Sequence, residues 1–324
     1  MRAVLADDRT MNEATLLHES HVRADEIDSL GHMNVRYYIA RVDIANRKLL
    51  ASHGIKPGPG QVIRRVDTYT RFHREQFTDA PLDTFGGFIQ SESIDPAREI
   101  QAYFEIRNTE KNEIAATFIV TTSIVDEAGQ QIVPLNADAV KSRVAIPGHG
   151  MPRSLSLIWP KQVSIEDIEP HLIEDPDVGM MTGRRENSVV PDDCDVHGRL
   201  REEFDLMSVL FRADPLADSE ETMTGPPILK DDEGRRYSFA MLETRSVIWH
   251  RPMDGDRIVA LSADIACSDK WRHTRRWMFV KSSGLLLGVS DSLGICIDLD
   301  ARKAISMSPK LQKAVSASCL PQFA

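Results

Sequence analysis

Apolar residues recur every three or four positions after residue 34, and this spacing predicts one amphipathic helix from Val35 to Leu50. Its apolar face consists of Val35, Tyr38, Ile39, Val42, Ala45 and Leu49. After a loop at 57–60 the period changes to two, which predicts strands within 66–72, 82–94, 99–108 and 114–125. One long helix followed by antiparallel strands with short turns predicts an α+β fold.

The second half of the chain repeats this order of elements. A shorter apolar stripe predicts a second helix and contains Leu200, Phe204, Met207, Leu210 and Phe211. Strand-like runs follow at 239–249, 256–267, 272–281 and 285–298. Small residues occupy one face of the last run, where a helix can approach closely: Gly288, Ser290, Ser292 and Gly294.

Prolines and glycines interrupt both patterns between the two halves, and they indicate a linker. The sequence therefore predicts two similar domains. The expected boundaries are a flexible arm over 1–17, a first domain over 18–147, a linker over 148–182, a second domain over 183–310 and a tail over 311–324.

The 324-residue chain is 42% hydrophobic and carries a net charge of −10, which suits a globular protein and disfavours nonspecific binding to nucleic acid. No stretch approaches the roughly 18 consecutive apolar residues of a membrane span. The first residues lack the apolar run of a signal peptide. The four cysteines form no CxxC pair, so we expect the protein to lie in the reducing cytoplasm. We expect neither a membrane nor a nucleic acid as its partner.

A ten-residue motif precedes each predicted helix. Residues 25–34 read DEIDSLGHMN, and residues 192–201 read DDCDVHGRLR. Three residues recur at one offset (192 − 25 = 167): Asp25, Asp28 and Gly31 return as Asp192, Asp195 and Gly198. Neither motif contains a compact set of metal ligands, so we expect no metal and no cofactor.

The Asp-x-x-Gly-His-Met-Asn motif before a tyrosine-containing helix resembles the opening of hotdog-fold acyl thioesterases. The resemblance is to the 4-hydroxybenzoyl-CoA thioesterase group and to acyl-ACP thioesterases. In the second half, residues 250–256, 281–285 and 298–308 resemble later hotdog elements. The resemblance implies a tandem double hotdog in which each half is an antiparallel sheet wrapped around a long central helix.

The resemblance implies site residues position by position. Asp28 falls at the catalytic acidic position, and His32 and Asn34 match the His and Asn of the acyl-ACP type. Two positions depart from the pattern: Val35 replaces a second Asn, and Leu30 stands where plant acyl-ACP enzymes have a catalytic Asn. In the second motif Asp195 keeps the acidic position, whereas Arg199 replaces His and Arg201 replaces Asn.

Cleavage of a thioester needs a base or nucleophile and donors aimed at the carbonyl oxygen. Asp28 suits the first role, either by activating water or by direct attack. The amides of 32–35 suit the second role, because amides at the start of a helix have no partner within the helix and carry partial positive charge. Gly31 permits a tight turn. We expect an acyl-CoA or acyl-ACP thioesterase with Asp28, His32, Asn34 and Asp195 as catalytic residues, and with substrate contacts from Gly31, Val35, Gly198 and Arg199.

Other interpretations stay open. Asp28 and Asp195 also suit helix caps or turns. An enoyl-thioester hydratase or dehydratase is a second candidate on the same fold, and a non-catalytic acyl-thioester binding protein is a third. The tandem chain leaves sheet edges through which a homodimer can form.

Basic clusters are candidates for the phosphates of CoA or a carrier protein, since arginine pairs match phosphate geometry. They are Arg64 with Arg65, Lys141 with Arg143, Arg272 and His273 with Arg275 and Arg276, and Arg302 with Lys303. A solvated strand face is the usual alternative for each cluster.

Overall fold

The computed structural model describes residues 14–90, 98–126, 132–133, 143–173, 182–202, 204–210, 228–231 and 234–324. The chain divides into two compact units, Met1–Arg153 and Ser154–Ala324. This division falls within the segment where the sequence predicts a linker.

Unit 1 is one long helix and an antiparallel sheet. The helix α1 is Val35–Ser52, and the strands are β1 (Thr15–His21), β2 (Gln61–Phe72), β3 (Pro81–Phe88), β4 (Glu99–Asn108), β5 (Glu113–Asp126) and β6 (Ile132–Val133). The strand order is β1-β3-β4-β5-β2, and β6 pairs with β5. The predicted strand 82–94 ends earlier, at Phe88, and residues 91–94 lie outside the described residues.

Local signals set both ends of α1. The side chain of Asn34 caps the first turn by accepting a hydrogen bond from the Arg36 amide. After the last turn, Gly54 adopts a φ of +73°, which only glycine reaches without strain. The stripe of Tyr38, Val42 and Ala45 is buried against one face of the sheet, in a cluster that contains Phe104 and Phe118.

Unit 2 has the same strand order. Its strands are β7 (Gly183–Ser188), β8 (Leu229–Lys230), β9 (Arg236–Ile248), β10 (Arg257–Cys267), β11 (Trp271–Val280), β12 (Leu286–Asp298) and β13 (Lys303–Ala304). The order is β9-β12-β11-β10-β7, with β8 on β9 and β13 on β12. A one-turn helix, α2 (Ile165–Ile168), precedes β7 within the predicted linker.

The second helix, α3, is described over Leu206–Leu210 and begins later than its apolar stripe predicts. The amides of Leu200 and Arg201 donate to the carbonyls of Pro252 and Asp193, so the backbone is held in non-helical pairing there. Asp205 caps α3 by accepting a hydrogen bond from the Met207 amide at 2.9 Å. Phe211 lies outside the described residues.

The C-terminal residues, which the sequence predicts as a tail, form a packed helix, α4 (Pro309–Ala317). Ser308 caps α4, and Leu311 and Val315 are buried in a cluster with Tyr237 and Phe239. At the other end of the chain, the arm predicted over 1–17 includes the start of β1, and residues 1–13 lie outside the described residues.

Candidate functional site

The first motif folds into a tight loop that leads directly into α1. The Gly31 amide donates to the Asp28 carbonyl and the Asp28 amide donates to the His32 carbonyl, both at 3.0 Å. Gly31 has a φ of +82°, and no atom lies within 4 Å of where a Cβ would stand. The glycine is therefore needed for the backbone conformation of the turn and not for close packing.

This loop places His32 between two carboxylates. One oxygen of Asp28, Oδ1, accepts a hydrogen bond from the Leu30 amide at 2.9 Å, whereas Oδ2 lies 3.8 Å from Nδ1 of His32. On the other side of the ring, Nε2 lies 3.6 Å from Oε1 of Glu75. The Asp28 carboxylate is only 6% exposed, and the imidazole is 17% exposed. Both separations are longer than a hydrogen bond.

Glu75 is not among the site residues predicted from the sequence. It lies in the connection between β2 and β3, and the Met33 amide joins that connection to the motif by donating to the Gln76 carbonyl at 2.7 Å. Hydrophobic periodicity carries no signal for this pairing, because it joins two loops that are distant in the chain.

The structure narrows the predicted set of oxyanion donors. The amides of Met33 and Asn34 donate to the carbonyls of Gln76 and Glu26, so they are already used. Within the described part of the chain, the amides of His32 and Val35 donate to no other residue. Val35 is also the first residue of α1, where the helix dipole favours negative charge. The amides of His32 and Val35 are therefore the two predicted donors that can still bind an oxyanion. They lie on either side of Met33 and Asn34 in the chain.

Asn34 is the helix cap, with its Oδ1 3.1 Å from the Arg36 amide. A catalytic role for Asn34 stays a prediction. Below the loop, the buried hydroxyl of Tyr38 donates to the Arg74 carbonyl at 3.4 Å. Burial, together with the negative charges of Glu75 and Asp28, raises the pKa of Tyr38, so this phenol stays protonated.

The second motif has a similar loop with different chemistry. Gly198 has a φ of +72°, and its amide donates to the Asp195 carbonyl. One oxygen of Asp195 accepts hydrogen bonds from the amides of His197 and Arg199, both at 2.9 Å. The amide of Arg199, which corresponds to that of His32, therefore already donates to the Asp195 carboxylate. Roles for Asp195, Gly198 and Arg199 in catalysis or substrate binding stay predictions.

An open cleft of 390 Å³ lies beside the first turns of α1. Its lining includes His18, His21, Arg23 and Tyr37. Arg41 also lines the cleft and forms a buried ion pair with Glu26 at 2.7 Å. Because the Asn34 amide donates to the Glu26 carbonyl, the cleft adjoins the motif loop.

Two further features bear on the predictions. Among the described residues, no three His, Cys, Asp or Glu side chains group in a way that would hold a metal ion. The same residues include no helix of the length and apolarity needed to cross a membrane.

Comparison with solved structures shows the fold. The chain is similar to the 12:0-ACP thioesterase from Umbellularia californica, with a TM-score of 0.58 and 9% identity over 86% of this chain and 92% of that one. The chain is also similar to a putative oleoyl thioesterase from Lactobacillus plantarum, with a TM-score of 0.55 and 11% identity over 87% of this chain and 97% of that one. Its similarity to an acyl-ACP thioesterase from Bacteroides thetaiotaomicron has a TM-score of 0.55 and 7% identity over 89% of this chain and 99% of that one. No protein-family profile and no curated protein sequence matches the chain. At these identities the likeness shows the fold alone, which is of the hotdog type.

Proposed function

We propose that this chain hydrolyses an acyl thioester at the first motif, releasing a carboxylic acid and a thiol. The observation that carries the proposal is the position of His32 between the carboxylates of Asp28 and Glu75, beside two open amides at the start of α1. The likeness to acyl-ACP thioesterases supports the same reaction class.

In the proposed mechanism Asp28 activates the attacking water. Its Oδ1 is fixed by the Leu30 amide, which leaves Oδ2 on the side of His32 as the base. Water loses its proton to Asp28 and attacks the carbonyl carbon. The oxygen of the thioester carbonyl becomes negative and is stabilised by the amides of His32 and Val35.

Collapse of this intermediate breaks the carbon–sulfur bond, and the proton held by Asp28 passes to the leaving sulfur. His32 orients Asp28, and Glu75 holds the opposite nitrogen of the ring. No metal or cofactor takes part in these steps, so the only CoA or carrier protein required is that of the substrate.

The proposal extends to both units and to the substrate. The shared strand order supports a tandem double hotdog in which unit 1 holds the active site. We infer a CoA or carrier-protein thioester as substrate, a cytoplasmic setting, and homodimer formation through sheet edges. The cationic side chains of the cleft beside α1, among them Arg23, suit the phosphate of a pantetheine arm.

The test is thiol release from a panel of acyl-CoA and acyl-carrier-protein thioesters, comparing wild type with Asp28→Asn. We expect kcat to fall by about a hundredfold or more in the variant, because the base is removed. Asp25→Asn is the matched control: Asp25 is in the same motif, but its carboxylate is 66% exposed and pairs with Arg23. Asp25→Asn should retain activity near that of wild type.

The same panel separates the alternatives. Full activity of Asp28→Asn would show that the site is elsewhere. Failure of wild type to release thiol from any member would reject hydrolysis. Addition of water to crotonyl-CoA, without thiol release, would then indicate a hydratase, and tight binding without either reaction would indicate a binding protein.

A further inference from the structure

Two buried amide side chains are hydrogen-bonded to each other next to Glu75. Gln76 follows Glu75 in the connection between β2 and β3, and Asn108 is the last residue of β4. Nδ2 of Asn108 donates to Oε1 of Gln76 at 2.7 Å, and both side chains are buried. We call Gln76 and Asn108 the amide pair. Because a buried amide is costly unless it is hydrogen-bonded, its other partners show what the pair holds in place.

Backbone groups fix the orientation of the amide pair at both ends. At one end, the Lys111 amide donates to Oδ1 of Asn108 at 3.0 Å. At the other end, Nε2 of Gln76 donates to the Arg74 carbonyl at 3.3 Å. A backbone amide can only donate and a carbonyl can only accept, so neither side chain can turn over without losing a hydrogen bond. The amide pair therefore links the end of β4 to the residue before Glu75 in one defined way.

The backbone is held on both sides of Glu75. On the N-terminal side, the Arg74 carbonyl accepts from Gln76 and also from the buried hydroxyl of Tyr38, the latter at 3.4 Å. On the C-terminal side, the Gln76 carbonyl accepts from the Met33 amide at 2.7 Å. The residues that flank Glu75 are thus tied to α1, to the first motif and to the end of β4.

Unit 2 provides an internal comparison, because it has the same loop pairing. The Leu200 amide donates to the Pro252 carbonyl at 3.0 Å, just as the Met33 amide donates to the carbonyl of Gln76. Pro252 therefore corresponds to Gln76. Proline has no side-chain donor or acceptor, so the amide pair is not needed for this loop to meet the motif.

The strand register identifies the residue that corresponds to Asn108. Asn108 is the last residue of β4 and pairs with Leu82, the second residue of β3. Val280 is the last residue of β11 and pairs with Ile258, the second residue of β10. Val280 is buried in an apolar cluster, so the strand pairing also forms without a polar side chain at this position.

The residue at the position of Glu75 differs as well. Arg251 precedes Pro252 as Glu75 precedes Gln76, and the Arg251 guanidinium donates to the Glu202 carbonyl at 3.1 Å. The unit without a carboxylate at this position is thus also the unit without the amide pair. Because both units share the fold, we relate the amide pair to the carboxylate and not to the fold.

We infer that Gln76 and Asn108 are positioning residues that hold the Glu75 carboxylate beside the His32 ring. This inference rests on the proposed hydrolysis at the first motif, where Oε1 of Glu75 lies 3.6 Å from Nε2 of His32. The Glu75 side chain is 38% exposed, so its position depends on the backbone that carries it. A fixed backbone reduces the conformational freedom that the side chain must lose when substrate binds.

The first test compares the NMR signals of the His32 ring in variants of the full chain, with the signals assigned by their loss in His32→Gln. Asn108→Ser removes the amide that donates to Gln76. It should shift the His32 ring signals in the same direction as Glu75→Gln does, because in both variants the ring loses its outer carboxylate.

Asn46→Ser is the matched control. Asn46 is another buried amide of unit 1, and it donates to the Thr122 hydroxyl of β5 at 3.0 Å. This variant should leave the His32 signals as they are in wild type. Equal shifts in Asn46→Ser and Asn108→Ser would indicate a general loss of packing and would overturn the inference.

A double variant, Gln76→Met with Asn108→Val, guards against misfolding of the single variant. It removes both amides together, so neither is left buried without its partner, and it should unfold at a temperature close to that of wild type. Its His32 signals should still shift. Unchanged signals in both the double variant and Asn108→Ser would show that the amide pair does not position Glu75.

Thiol release gives the second readout. Asn108→Ser and the double variant should lower kcat about tenfold with less than about a twofold change in KM, because a misplaced group affects the reaction more than binding. Asn46→Ser should keep both constants. If wild type releases no thiol, the proposed function fails, and the NMR comparison still decides whether the amide pair positions Glu75.

Discussion

His32 lies at the centre of the first motif, because each nitrogen of its ring faces a different carboxylate. Asp28 comes from the same loop, so its proximity follows from a turn of four residues. Glu75 comes from the connection between β2 and β3, so its proximity depends on the pairing of Met33 with Gln76. A local motif and a tertiary contact therefore contribute one carboxylate each.

Glu75→Gln should lower kcat about tenfold to a hundredfold with a smaller change in KM, because the ring loses its outer carboxylate while the amides and Asp28 remain. Steady-state thiol release measures this effect. Glu113→Gln, at the start of β5, is a control that should leave both constants unchanged. Equal kinetics for Glu75→Gln and wild type would remove Glu75 from the proposed site.

At the scale of elements, segment 147–151 packs on the side of the unit 1 sheet opposite α1. His149 pairs with the buried Glu105 at 2.6 Å, and Arg71 donates to the His149 carbonyl at 3.0 Å. Burial alone would raise the pKa of Glu105, but hydrogen bonds from His149 and Arg107 lower it below its usual value. Gly150 contacts Tyr103, whose hydroxyl also donates to Glu105.

Gly150→Ala should destabilise unit 1 by about 1–3 kcal/mol, since the new Cβ would lie 2.4 Å from a ring carbon of Tyr103 and overpack a buried position. Gly148→Ala is the matched control, because no atom lies within 4 Å of its Cβ position. Urea unfolding midpoints compare the two variants. Equal midpoints would show that segment 147–151 can shift to accommodate the added methyl group without loss of stability.

The edge strand β7 is held by an ion cluster around Glu186. Partial burial opposes ionisation, yet hydrogen bonds from Lys281, Arg257 and Arg184 lower the pKa of Glu186 to about 2. Because the folded pKa is below the ordinary 4.5, this carboxylate stabilises unit 2 fully above pH 4.5 and loses its effect as pH falls toward 2.

Glu186→Gln should therefore lower the free energy of unfolding by about 1 kcal/mol at neutral pH, a value reduced for solvent screening. The difference from wild type should shrink as pH falls from 4.5 toward 2. Glu166→Gln, at an exposed position of α2, should behave as wild type at every pH. Unfolding curves at several pH values give this comparison, and a difference independent of pH would contradict it.

For the whole molecule, two units with one strand order carry two unequal motifs. In unit 1 the Asp28 loop runs directly into α1, whereas in unit 2 α3 begins only at Leu206. Asp195 accepts hydrogen bonds from two backbone amides of its own turn. The position that corresponds to His32 is occupied by Arg199. The first motif therefore has a histidine between two carboxylates, whereas the carboxylate of the second motif is held by the amides of its own turn.

Asp195→Asn should retain at least about half of wild-type kcat, while its loop loses about 1 kcal/mol of stability because charged acceptors make the stronger hydrogen bonds. Thiol release and thermal unfolding of the same preparation measure both effects. Loss of activity without loss of stability would move the proposed site into unit 2.

The sequence by itself determined the elements whose causes are local. Periodicity predicted α1 and the four long strands of each unit, and Gly31 predicted the turn that joins the motif to its helix. Residues 99–108 were predicted as a strand and form β4 with those bounds. Local conformational preference and burial of one face are sufficient for such features.

Only the tertiary structure decided features that depend on pairing between distant segments. Leu200 fits the apolar stripe of a helix, but its amide pairs with Pro252 instead, and the predicted tail packs as α4. Glu75 reaches His32 through loop pairing, and alternation along β11 places Arg276 on the α3 side and Arg275 on the other. Periodicity along one strand gives the two faces, whereas what each face meets is fixed by long-range register.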